Sequence, residues 1–178
     1  MAITKEMQDA INDQINAELY SAYLYLSMGA YFADEGLTGF ENWMRCQYME
    51  ETMHAMKMFN YVIERGGRVE LKAIDQPAKT WNSYVEVMEE VLKHEQYVTS
   101  RINKLVSLSR KLEDYASESF LMWFIDEQVE EEASAEELLI KLKRVKDSPN
   151  ALYQFDSQLA TRVLAPDVVP VIMNQAVN

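Results

Sequence analysis

The chain has 178 residues, 48 % of them hydrophobic, and a formal net charge of -12. That length supports one domain with a sizeable core, spanning residues 1–178. The acidic balance lacks the basic patches that nucleic acid requires, and no apolar run is long enough to cross a bilayer. Neither nucleic acid nor a membrane is therefore an expected partner, whereas an acidic surface suits a protein that draws in cations. The opening MAITKEMQDAIND has no basic patch followed by an apolar block, so a secretory signal is not expected. A single cysteine, Cys46, cannot form an internal disulfide, which fits a reducing cytoplasm.

With only 5 glycines and 4 prolines, the sequence favours long helices. The first covers about residues 4–34 and is broken by Gly36. Ile11, Ala22 and Tyr25 lie at helical spacing from Glu18, on one face. The second opens at Thr38-Gly-Phe-Glu41, which reads as a capping box, and ends at Gly66-Gly67. Its apolar stripe is Met44, Tyr48, Ala55, Met58 and Val62, with Glu51 and His54 set within it. Residues 67–82 carry Gly67, Pro77 and no sustained periodicity. A loop of that length reaches roughly 50 Å when extended. The helices are about 40 Å long, so the loop can cross the whole bundle and make the second and third helices parallel.

The third helix starts near 82 or 83, with Ser83-Tyr-Val-Glu86 as a further capping box, and runs to about 110. Tyr84, Met88, Val91, Val98 and Ile102 share the face of Glu95. The turn at 111–114 has no Gly or Pro. The fourth helix covers about 114–146, and Leu121, Phe124, Ala135, Leu139 and Leu142 share the face of Gln128 and Glu131. Ser148-Pro149 reads as an N-cap with proline at the first helical position, opening a short fifth helix at about 149–163. Pro166 and Pro170 end that helix, leaving a mostly apolar tail, 164–178. The expected fold is all-α: a four-helix bundle at about 4–146, a long crossover between its second and third helices, and a short C-terminal helix.

Glu18, Glu51-x-x-His54, Glu95 and Gln128-x-x-Glu131 each lie near the middle of a predicted helix, on its apolar stripe. Glu18 to Glu51 is 33 residues, and so is Glu95 to Gln128. We read this as a weak duplication of an antiparallel helix pair. Taken singly, each residue has a plain alternative. A helix glutamate usually faces solvent, and a lone histidine among apolar residues is usually a satisfied core residue. Together they fall in one layer of the bundle. Carboxylates facing a core are costly without a compensating cation, and a pair of metal ions would supply it.

Glutamate and histidine at i, i+3 point the same way and can hold one ion, leaving the carboxylate free to bridge to a second. A glutamate from each of two helices plus Glu-x-x-His from the other two is the di-iron pattern of such bundles. Here the fourth helix carries Gln128-x-x-Glu131 instead, so the site has one histidine. Carboxylate and imidazole ligands suit Fe, Mn or Zn, and with redox activity iron is the natural choice. The run 126–137 has seven acidic residues and no basic one. Glu132, Glu136 and Glu137 read as a solvated face, while Glu127 and Glu130, with Glu50, could form a third cation site. His94 is about 100° round the helix from Glu95 and should serve packing or a surface contact. Tyr25, two turns from Glu18, could hydrogen-bond a ligand or supply an electron.

The segments NAELYSAYLYLSM, YMEETMHAMKMFNYV, KHEQYVTSRI and FLMWFIDEQVEEEASAEELL resemble the ferritin family, in particular the bacterial non-haem ferritins. The resemblance covers about residues 4–163. It implies a ferroxidase centre oxidising Fe²⁺ with O₂ or H₂O₂, and a hollow cytoplasmic shell of twenty-four identical subunits storing ferric mineral. By position it implies a first iron on Glu18, Glu51 and His54, and a second on Glu51, Glu95 and Glu131 with Gln128 close by. A third iron would use Glu50, Glu127, Glu130 and Glu131, and Tyr25 matches the family's tyrosine beside the centre. Haem is not expected, because Thr52 stands where bacterioferritins have a haem-ligating methionine, and the second Glu-x-x-His is missing. Met53 and Met56 take inner-face positions that are acidic in animal heavy-chain ferritins, so mineral nucleation would rely on other residues. Two further readings remain open from the residues: another di-iron or di-manganese oxidoreductase, peroxidase- or oxygenase-like, and a metal-free helical interaction protein.

Overall fold

The computed structural model describes residues 2–166 and 168–173. The described residues form α1 (Lys5–Asp34), α2 (Thr38–Glu64), α3 (Tyr84–Lys111), α4 (Tyr115–Val145), α5 (Pro149–Leu159) and α6 (Val168–Ile172), with no strand among them. The fifth helix ends four residues before the expected 163. Pro170 lies inside the short α6 rather than closing α5, and α6 packs on α2. The tail at 174–178 lies outside the described residues.

Two glycines end helices in the left-handed region, Gly36 at φ 73° and Gly66 at φ 70°, where a side chain would be strained. The third helix ends the same way without glycine. Glu113 takes φ 54°, and Asp114 N donates to Ser109 O at 2.9 Å, closing the turn that the sequence left unmarked. Two of the expected caps differ in detail. Ser83 Oγ accepts from Glu86 N at 3.1 Å, but Glu86 reaches back one residue further, accepting from Asn82 N. The Thr38–Glu41 capping box does not form. Thr38 is already helical, and Asp156 of α5 instead accepts from Gly39 N at 2.8 Å and Phe40 N at 3.0 Å. The cap of α2 is thus supplied from 117 residues away, which no local motif can signal.

The crossover lies along α1, held by polar side chains one or more turns apart. Gln8 Oε1 accepts from Arg68 N, Asn12 brackets Arg68 O and Glu70 N, Asn16 donates to Ala73 O, and Ser27 donates to Ala78 O. The loop therefore runs parallel to α1 and delivers α3 parallel to α2. Buried apolar residues form two clusters. One holds Met28, Phe32, Met44, Met88, Val91, Leu139 and Phe155; the other holds Met7, Ile11, Met58, Val98, Ile102 and Phe124. On every long helix the change from one cluster to the other falls at the candidate ligands. The candidate ligands form one polar layer between two largely apolar halves of the core.

Candidate metal centre

Glu18, Glu51 and His54 are each 1 % exposed, and their ligand atoms lie within 4.8 Å of one another. This is the arrangement that i, i+3 spacing on α2 and a facing glutamate on α1 produce. His54 Nδ1 is 3.4 Å from Glu51 Oε2, and its Nε2 is 4.0 Å from Glu127 Oε1. Trp123 and Phe124 meet the imidazole edge-on and keep its surroundings apolar. Burial lowers the His54 pKa, which holds the ring in its neutral, metal-binding form.

The second half of the layer is held by hydrogen bonds. Tyr25 is fully buried and donates its hydroxyl to Glu95 Oε1. Gln128 Nε2 lies 3.3 Å from Glu95 Oε2, and Gln47 Nε2 donates to Glu131 Oε2 at 2.8 Å. Burial and the charges of Glu95, Glu18 and Glu131 push the Glu51 carboxyl well above its usual range. Burial and Glu131 push Glu95 up to about 8, with Tyr25 and Gln128 acting against them. Burial, then the charge of Glu95, raises the Tyr25 phenol well above 10.0. Crowded carboxylates of this kind hold protons until a cation displaces them.

Among the described residues, Glu18 Oε2, Gln47 Oε1, Glu51 Oε2 and His54 Nε2 are buried without a hydrogen-bond partner. Leaving one such group unpaired costs about 1–3 kcal/mol, so four together at one layer point to a bound species. The donor set, carboxylates with one neutral imidazole, fits ferrous iron and similar divalent ions.

The remaining expected residues occupy different places. Glu50 is mostly buried and pairs with Arg162, whose Nη2 lies 2.6 Å from Glu50 Oε2. Burial lifts the Glu50 carboxyl to about 7 despite that partner. Glu127 is half-buried near His54, and Glu130 is exposed, as are Glu136 and Glu137. Glu132 is half-buried and accepts from Thr99 Oγ1 at 2.5 Å. His94 is half-buried, with Nε2 2.8 Å from Ser21 Oγ and its ring edge-on to Tyr25. Burial lowers its pKa to about 4. Gln14 and Gln47 were missed by the sequence reading. Each lies one turn before a ligand, Glu18 or Glu51, and they are themselves 33 residues apart. The repeat therefore contained the signal.

Four helices present a buried carboxylate–imidazole layer, and Glu18, Glu51 and His54 within it make a candidate metal site. A profile of the ferritin-like domain matches residues 8–145. The bacterial non-heme ferritin of Bacteroides fragilis is 42 % identical over 160 residues, 90 % of this chain and 99 % of that protein. That of Staphylococcus aureus strain MRSA252 is 41 % identical over 90 % of this chain and 96 % of its own. Among solved structures, the open-pore ferritin of the hyperthermophilic archaeon Archaeoglobus fulgidus superposes with a TM-score of 0.89. It is 50 % identical, over 90 % of this chain and 98 % of that one. A humanized archaeal ferritin gives 0.91 at 48 % identity, covering 93 % and 100 %. The chain belongs to the ferritin family.

Proposed function

We propose that this chain is an iron-storage protein with ferroxidase activity, assembling as a cytoplasmic shell of twenty-four copies. The observation that carries the reading is the Glu18–Glu51–His54 set, buried, mutually close and left with unpartnered polar atoms. Iron is the substrate. Glu18, Glu51 and His54 bind the first Fe²⁺; Glu51 bridges to a second held by Glu95 and Glu131, with Gln128 beside it. Glu50, Glu127, Glu130 and Glu131 form a third, weaker site, for which Arg162 must release Glu50.

Each of two Fe²⁺ gives one electron to O₂, which takes up two protons and leaves as H₂O₂. With H₂O₂ as oxidant, the same two electrons and two protons break the O–O bond and give two waters. The chain's part is to hold both ions side by side in a dry layer, where carboxylates favour Fe³⁺ over Fe²⁺. Tyr25 holds Glu95 in place and is positioned to supply an electron. The protons that iron displaces from the crowded carboxylates are available to the oxidant.

The shell is supported by the outer face of α1 and the crossover. Tyr23, Leu26 and Ile74 are 48 %, 38 % and 41 % exposed and line one groove with Pro77. The groove also carries Ser27, Gln76 and Lys79, and its exposed apolar side chains suit a second copy of the chain. Size-exclusion chromatography and aerobic loading test the reading together. A particle near half a megadalton that takes up iron into an electron-dense core supports it. A monomer or dimer that leaves iron to precipitate in solution refutes storage.

A further inference from the structure

Arg101, on α3, contacts the layer without reaching the metal ligands. Its Nε donates to Gln14 Oε1 at 2.8 Å, its Nη2 to Asp13 O at 2.9 Å, and its Nη1 to Tyr97 OH at 3.2 Å. Gln14 is 1 % exposed and donates its Nε2 to Glu18 Oε1 at 2.8 Å. Glu18 Oε2 is the atom left without a partner. A guanidinium has donors and no acceptor, so it dictates which end of the Gln14 amide faces it. With the carbonyl turned to Arg101, only the NH₂ group can meet Glu18.

The other half of the layer lacks this lock. Gln47, the counterpart of Gln14 at 33 residues, donates to Glu131 at 2.8 Å, but its Oε1 is buried with no partner. We propose that Arg101 is a positioning residue for Glu18, fixing the Gln14 amide so that Glu18 offers Oε2 to the first metal ion. The inference rests on the di-metal reading above and deepens it: it names what positions Glu18 in the first site and predicts that this site binds more tightly than the second. The Arg101 head lines a cavity of about 350 Å³ between α1, α3 and the crossover, which leaves it accessible from the outer surface.

Anaerobic titration of the assembled protein with Co²⁺, followed by calorimetry and by the visible band lost in His54→Ala, tests it. Arg101→Ala should weaken the first Co²⁺ by about 10- to 100-fold, the usual cost of losing a partner behind a ligand, with the second ion little changed. Arg101→Lys keeps a donor for Gln14 Oε1 and should recover most of the affinity. Gln14→Leu should cost as much as Arg101→Ala, and the two together no more than either. Unchanged first-site affinity in Arg101→Ala, equal weakening of both ions, no recovery in the lysine variant, or additive losses would each overturn the proposal. Wild-type protein with no His54-dependent band would overturn the di-metal reading, and the inference with it.

Discussion

Glu95 illustrates what the buried layer costs. Its pKa of about 8 means that the folded, metal-free protein holds a proton that the unfolded chain has released. Wherever the folded state binds more protons, stability falls as pH rises. For Glu95 this loss begins near its ordinary value, about 4.3, and is complete above about 8. Glu95→Gln should therefore raise the metal-free melting temperature at pH 9, by the equivalent of a few kcal/mol, and change it little at pH 4. The same variant should lose the second metal ion. A destabilising effect at pH 9 would show that the carboxylate is stabilised by something other than a bound cation. Arg162 makes the reverse case, a cation already seated on Glu50. Arg162→Gln should tighten a third metal ion by about 10- to 100-fold, the value of one charge-assisted hydrogen bond, read by calorimetric stoichiometry. The candidate ligands were legible because carboxylates interrupted apolar stripes at a fixed repeat. Arg162 and Arg101 were not, since nothing local distinguishes them from solvated basic residues.

At the scale of elements, the helices and the crossover could be read from periodicity and from Gly36 and Gly66, because both signals are local. The docking of α5 on α2 could not. Asp156 caps α2, Asn42 donates to Arg162 O at 3.0 Å, and the guanidinium of Arg162 lies 4.9 Å from the Trp43 ring centroid. Gly39 makes this docking possible, since a Cβ there would lie 1.7 Å from Asp156 O. Asp156→Ala leaves two amides at the start of α2 uncapped and should cost about 1–3 kcal/mol in thermal or denaturant unfolding. Gly39→Ala should cost at least as much, because backbone rather than a flexible side chain blocks the added atom. A neutral Asp156→Ala would mean that water replaces the cap and that α5 contributes little to holding α2.

For the whole molecule, the two apolar clusters lie on either side of the polar layer and frame its four buried glutamates, Glu18, Glu51, Glu95 and Glu131. In the proposed shell, the groove of Tyr23, Leu26, Ile74 and Pro77 on the outer face carries a subunit contact. Ile74→Glu, or Leu26→Glu opposite it, should shift the particle toward small oligomers in analytical ultracentrifugation while leaving the helical signal intact. An unchanged particle would place the subunit contact elsewhere.

The function proposed for this chain requires metal at the layer. Crystals soaked anaerobically in Fe²⁺, with data collected on both sides of the iron absorption edge, test that directly. Two adjacent anomalous peaks should appear, the one by Glu18, Glu51 and His54 filling first and the one by Glu95 and Glu131 at lower occupancy. Iron confined to the surface, or a single peak away from His54, would contradict it.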